Sequence, residues 1–367
     1  METKGKKKMT RAGLPVYRPV RLDRDYLAGK ALDQFGRNHP GTWRNFSAIR
    51  KTEVLEEFRD SILSLEESLA IDNPAIFIDH ACWAKVHLTA LHYPKNHVSR
   101  ILDSLGEVLE KELPLDFRKK AGTFIAECLA VLKKTPTDIP SCITDDNPYA
   151  DAARSFLAAL IAADQDKAGM VLEQAVGSGT PLKDIFLHIL QPVLEETGRL
   201  WQLNRISIAQ EHFVTASAVP WMARLHNQIP ARKGEKGRKE MTVIAVSVGP
   251  ELHDVGIRMV ADFFRMDGWE TYYLGANTPA QSILAAVRER KAGLITLSTT
   301  MARHLPDVQY LIRSLRGDPG TAEVKIIVGG YPFRIVPDLW KQIGADAYAG
   351  DAAEAVDIAR RLVQEHH

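Results

Sequence analysis

A carboxylate and an imidazole two residues apart, Glu251 and His253, stand in the run GlyProGluLeuHisAspValGly from Gly249 to Gly256. Imidazole is the commonest metal ligand, and a ligating ring usually gives its other N–H to a carboxylate that sets its tautomer and basicity. The pair suits that chemistry. A phosphate cradle would be glycine-rich and would lead straight into free helix amides, so phosphate is the poorer occupant. A single loop histidine is also commonly just a surface or hydrogen-bonded residue, and the run by itself leaves that reading open.

The elements around the run limit the choice. ThrValIleAlaValSerVal at 242–248 is a continuous apolar, β-branched run, as expected of a strand buried on both faces. Similar runs recur at 271–274, 294–297 and 324–328, with a shorter one at 347–348, and helical patterns fill the gaps. Alternating strands and helices imply a doubly wound parallel sheet of Rossmann or flavodoxin-like type, which binds ligands beyond the carboxyl ends of its strands. Three predicted strand ends then share one rim. His253 follows the first; Ser298 and Thr300 lie at another, with 41 residues between Gly256 and Ser298; Gly329 and Gly330 lie at a third, 28 intervening residues after Thr300.

Acidic residue, x, His, x, x, Gly, then Ser, then Gly-Gly resembles the cobalamin-binding domain of methionine synthase and its relatives. The resemblance implies that His253 is the lower axial ligand of cobalt and that Glu251 orients it. Asp254 and Val255 would lie beside the histidine at the cofactor. Ser298 would bond the buried base of the nucleotide tail, while Gly256, Gly329 and Gly330 would leave space for that tail. Thr300 stands where this family often has leucine.

Ahead of the sheet, residues 148–230 support four helices divided near Gly177, Gly179 and 204–207, with Ser207 as a cap for the last. In methyl-carrying relatives such a bundle covers the corrin's upper face. Trp201, nine intervening residues, then Glu211 and His212 resembles the signature of photosensory adenosylcobalamin proteins. That likeness implies Trp201 and Ile208 against the adenosyl group, Glu211 on its ribose and His212 close by. Read without it, Trp201 is core and Glu211–His212 a solvated helix face. The photosensors carry a histidine directly after the tryptophan, which binds cobalt after photolysis; this chain has Gln202, and an amide is a poor cobalt ligand.

Residues 1–45 read as an extension and 46–140 as a helical domain, with Val54, Leu55, Phe58, Ile62 and Leu65 at helical spacing. The order of helical domain, bundle and cobalamin domain at 241–367 resembles the photocobilins, whose extra globin-like domain binds biliverdin. His80, Cys82, Trp83 and His87 are the candidate bilin residues, and Arg44, Arg50 and Lys85 candidate propionate partners. Core edge and surface is the competing reading of the same residues.

Forty-seven lysines and arginines against 46 acidic residues give a net charge of +1, which argues against a dedicated polyanion binder such as a nucleic-acid protein. No apolar run of membrane length and no signal-peptide pattern is present, so a cytoplasmic address is expected. Cys82, Cys128 and Cys142 lack metal-type spacing. These features lead to a light-sensing, non-enzymatic protein that binds adenosylcobalamin base-off through His253, with biliverdin as a candidate second chromophore. Light-dependent homo-oligomers and an unidentified protein partner are expected. The alternative is a corrinoid methyl carrier of a methyltransferase system, whose cobalt must be open to partners. A response-regulator-like module is a third reading, and it leaves the spacing from His253 to Ser298 and Gly329 unexplained.

Overall fold

The computed structural model describes residues 20–230 and 241–364. The start of the extension, the charged stretch 233–240 and the terminal His366 and His367 lie outside the described residues.

Six helices come first: α1 (Arg24–Asn38), α2 (Pro40–Asn45), α3 (Ala48–Ile71), α4 (Ala75–Ala90), α5 (His97–Glu112) and α6 (Leu115–Leu132). Apolar residues at helical spacing, among them Phe35, Phe58, Ile62, Leu65, Phe77, Leu102 and Leu105, close a core between them. Ser47 accepts a hydrogen bond from the Arg50 amide and so caps α3, whose far end stops at Asp72 in the left-handed region. That stop turns the chain sharply into α4.

Residues 133–149 lead to the second group, α7 (Ala150–Ile161), α8 (Gln165–Gly177), the short α9 (Leu182–Asp184), α10 (Gln191–Gln202) and α11 (Ile208–His226). A π-helical stretch, Ile185–Leu190, joins α9 to α10 just ahead of Pro192, whose missing N–H and bulky ring disfavour a regular turn. The expected break near residues 204–207 is present. Ser207 accepts from the Gln210 amide while the Gln210 side chain returns to the Ser207 amide, a complete capping box.

The last part alternates β1 (Thr242–Val248), α12 (Val255–Met266), β2 (Glu270–Thr278), α13 (Ala280–Glu289), β3 (Leu294–Ser298), α14 (Leu305–Gly317), β4 (Lys325–Gly329), α15 (Tyr331–Ile335), α16 (Leu339–Ile343), β5 (Ala347–Tyr348) and α17 (Ala352–Gln364). All strand pairs are parallel, in the order β2-β1-β3-β4-β5. This is the doubly wound class expected from the alternating pattern. Its switch point lies between β1 and β3, where successive crossovers run to opposite faces and leave a crevice at the strand ends.

Both faces of the sheet are covered. On one, α12 and α17 pack with the second group of helices, Phe186 meeting Phe263 edge-on at 6.2 Å. On the other, α13, α14 and α16 share a core with Ala70, Ile71 and Ile76 from the α3–α4 corner. The first helical group is thus fastened into the sheet's own core.

Candidate functional site

β1 ends at the switch point, and the chain turns at Gly249 with φ of +68°. Glu251, two residues on, has 0% exposure. Its Oε2 accepts from the backbone amides of Thr300 at 2.8 Å and Met301 at 2.9 Å, from His304 Nδ1 at 3.2 Å and from Thr299 Oγ1 at 3.4 Å. Its Oε1 accepts from the His253 amide at 3.1 Å and holds His253 Nδ1 in a short contact. One carboxylate therefore ties the loop after β1 to the loop after β3. Burial pushes the Glu251 carboxyl up, but the bonds from the His253 ring and from the Met301, His253 and Thr300 amides outweigh it and hold the group below the usual carboxylate range.

His253 is turned outward, its side chain 59% exposed. With Nδ1–H donated to Glu251, the Nε2 lone pair is the atom left to bind something else. The bond to Glu251 raises the imidazole pKa, against partial burial and the nearby Arg303. Leu252, beside the ring in sequence, is an exposed apolar side chain.

The other sequence candidates fall around this pair in different ways. Asp254 Oδ2 accepts from the Tyr273 hydroxyl at 2.6 Å, which pins the loop to β2. Val255 opens α12 half-buried; Gly256 follows, and a Cβ there would meet nothing within 4 Å. Ser298 stands in register with Ser247 and Gly329, and the Ser247 hydroxyl donates to the His253 carbonyl at 3.0 Å. Thr300 contributes its amide rather than its side chain. The space expected at Gly329 and Gly330 is partly corrected. A Cβ on Gly330, at φ +103°, would lie 1.9 Å from the Thr299 carbonyl oxygen, and one on Gly329 3.2 Å from that of Ala349. Close backbone approach, not open room, accounts for glycine at 330; only Gly256 faces free space.

Glu211, on the first turn of α11, adds a small rise to the His253 imidazole. Ile208 is 56% exposed there; Glu211 accepts from Thr215 Oγ1 at 3.0 Å and pairs with Nδ1 of the exposed His212. Trp201 lies at the end of α10 against Trp83 and His87 of α4, ring centroids 5.5 Å away in both cases, and Trp83 stacks on His87 at 4.9 Å. Gln202, only 9% exposed, donates from Nε2 to the Trp83 carbonyl at 3.2 Å, and His87 Nδ1 bonds the Gln202 carbonyl at 3.0 Å. The amide at the position where the photosensors carry histidine joins two helical groups.

Of the candidate bilin residues, Cys82, Trp83 and His87 meet protein partners. Cys82 Sγ meets Thr135 Oγ1 at 3.2 Å, Lys85 donates to the carbonyls of Leu132 and Thr135, and Trp83 and His87 are taken up by Trp201 and Gln202. His80 Nε2 is buried without a hydrogen-bond partner, and burial pushes its imidazole down to about 4. Arg50 lies over the Tyr93 ring at 4.0 Å, and Arg44 ends α2.

Sequence reasoning missed Thr299, Met301 and His304 around Glu251, and the bond from the Tyr331 hydroxyl to Asp79 at 2.7 Å. Backbone amides leave no trace in residue types. His304, six residues past Ser298, was the one visible signal.

A parallel sheet with a carboxylate-backed imidazole at its switch point defines a Rossmann-like protein with a candidate metal-ligating site beyond its strand ends. B12 binding domain models match residues 241–359 and 152–225. The chain is 30% identical over 132 residues, 36% of its length, to dimethylamine corrinoid protein 3 of Methanosarcina mazei, covering 77% of that protein. It is 26% identical over 206 residues to the dimethylamine corrinoid protein of Methanosarcina barkeri, 56% of this chain and 94% of the relative. The monomethylamine corrinoid protein of Methanosarcina barkeri shares the fold, with a TM-score of 0.51 at 21% identity over 58% of this chain and 99% of that one. The chain belongs to the B12-binding corrinoid proteins, and it binds cobalamin.

The residues at the ends of β1 and β3 fit that group. His253 presents a free imidazole nitrogen with a buried carboxylate behind it, the arrangement that fixes a metal-ligating ring. Leu252, next to it in the chain, offers exposed apolar surface suited to an extended macrocycle, and Gly256 leaves room at the mouth of α12. Among the described residues no helix is long and apolar enough to cross a membrane, and no cluster of three or more His, Cys, Asp or Glu offers a second metal site.

Proposed function

We propose that the chain is a corrinoid carrier that accepts a methyl group from one partner protein and delivers it to another. The observation that carries this reading is the match to the dimethylamine corrinoid proteins along 94% of a relative's length, bundle and sheet together. Bound cobalamin supplies a cobalt centre able to take up and release a one-carbon group. His253 would hold the group through Nε2, and Glu251 would keep the ring in the required tautomer and orientation. Gly256 and Ser298 border the crevice that takes the nucleotide tail. Ile208, Glu211 and His212 at the start of α11 would wall the opposite side and shield it from water, while Trp201 packs on Trp83 and His87. Asp254 and Thr300 act by holding loops in place, through Tyr273 and Glu251.

A second reading, an adenosylcobalamin light sensor, has one observation in its favour: Trp201 with Glu211 and His212 at the photosensor spacing. Photolysis would there change the domain arrangement or the oligomer. Biliverdin has no part in the proposal, because Cys82, Trp83 and His87 already meet protein partners.

The test is the purified holo-protein. A carrier takes up methyl from iodomethane once reduced, with iodide leaving, releases it to a thiol in the presence of a methyltransferase, and yields no adenosyl ligand on extraction. An extracted adenosyl ligand and a spectrum that changes on illumination would replace this reading by the second.

A further inference from the structure

One face of α4 touches both bodies that enclose the candidate site. Asp79, Trp83 and His87 are spaced four and four, so they share a stripe along the helix. Asp79 accepts from Tyr331, directly after the Gly329–Gly330 turn of the sheet; Trp83 and His87 bear on Trp201 and Gln202 at the end of α10. At the root of the helix, Ile71 and Ile76 are 2% and 5% exposed in the sheet's core. α3 runs past the same rim, packing on the Ala302–His304 turn that follows β3.

The two ends of α4 are held differently. The α3–α4 corner is deeply buried among apolar side chains, whereas the far contact consists of three partly exposed rings and two hydrogen bonds. A hinge at the corner with a release at the rings leaves the buried apolar corner intact.

We propose that the first helical group is a lid over the cobalamin site, rooted at the α3–α4 corner and latched to the bundle by Trp83 and His87 on Trp201 and Gln202, and that partner access to the site requires the latch to open. This rests on the placement of cobalamin between bundle and sheet. It explains why Gln202 is spent on helix-to-helix bonds. It also predicts that residues 203–212, next to the latch, change exposure when it is loosened.

Hydrogen–deuterium exchange and cobalamin release test this in Trp83→Ala and in the milder His87→Phe, which keeps an aromatic stack but loses the bond to Gln202. A latch gives at least tenfold faster exchange at 203–212 and in the second half of α4 in both variants, with β1 and β3 unchanged, and at least tenfold faster cobalamin release. Exchange and release at wild-type rates in His87→Phe, with Trp83→Ala either matching it or unfolded throughout, would overturn the lid. The exchange comparison is made on apo-protein as well, so a wild-type chain that fails to hold cobalamin would sink the site placement while the latch is still read separately.

Discussion

The Thr300 amide donates to Glu251 at 2.8 Å, so the loop after β3 hangs from the same carboxylate that orients His253. Two strand ends at the switch point share one buried charge. The shape of the crevice and the direction of the imidazole are therefore a single structural property.

Glu251→Gln tests that coupling. The amide removes the charge from a site with several donors and places an NH2 where backbone N–H groups already point. A stability loss of about 2–4 kcal/mol is expected from urea denaturation, because hydrogen bonds to a buried charge are each worth roughly 1.5–3 kcal/mol. Cobalamin affinity, read by spectral titration, should fall about 10–100-fold, as on loss of a group that orients a metal ligand.

Gly256→Ala and Gly330→Ala should separate ligand room from backbone packing. At Gly256, on the first turn of α12 with nothing within 4 Å of a new Cβ, alanine should stabilise the apo-protein by about 0.5–1 kcal/mol while weakening cobalamin binding. At Gly330 a Cβ meets the Thr299 carbonyl and the backbone sits at φ +103°, so alanine should lower stability by more than about 2 kcal/mol with or without ligand. Thermal melts of both variants, each with and without cobalamin, give the comparison.

The pH dependence of stability should reflect α3. Burial pushes Glu67 up to about 8 against the opposing charges of Arg303 and Arg24, with Glu66 adding to the rise. A carboxyl whose folded pKa lies above its ordinary 4.5 binds its proton more tightly when folded, so stability falls as pH rises from about 4.5 to about 8. Glu67→Gln should flatten that slope and gain on the order of 1 kcal/mol at pH 8, the half-exposed side chain keeping the effect well below the full shift. Denaturation midpoints at pH 5 and pH 8 decide it; an unchanged slope would show that Glu67 titrates normally.

Arg199 and Glu196 pair inside the bundle with side chains 9% and 7% exposed, and Arg199 also donates to the Ile139 carbonyl at 2.7 Å while Glu196 accepts from the Cys142 amide at 2.8 Å. The pair fastens residues 133–149 to α10. Arg199→Met should cost about 3–5 kcal/mol, since a buried carboxylate is left without its partner. Protease cleavage within 133–149 should accelerate in step.

The parallel sheet was legible because strands buried on both faces read as unbroken β-branched runs, visible at 242–248 and 294–297 without any tertiary information. Ser207 announced the α11 start in the same local way. Biliverdin was inferred from the order of the domains and from residue types, and neither reveals partners: Trp83 and His87 are as compatible with a pigment as with Trp201.

By itself the amino-acid order determined the alternation of strands and helices, the imidazole two residues after a carboxylate, and the rim they share, because periodicity and turn chemistry act over a few residues. Only the tertiary structure decided that Glu251 also holds Thr300, Met301 and His304, that Gly330 serves Thr299, and that α4 bridges bundle and sheet. Those contacts join segments 31 to 252 residues apart through backbone groups and packed rings, whose positions exist only once the chain has closed on itself.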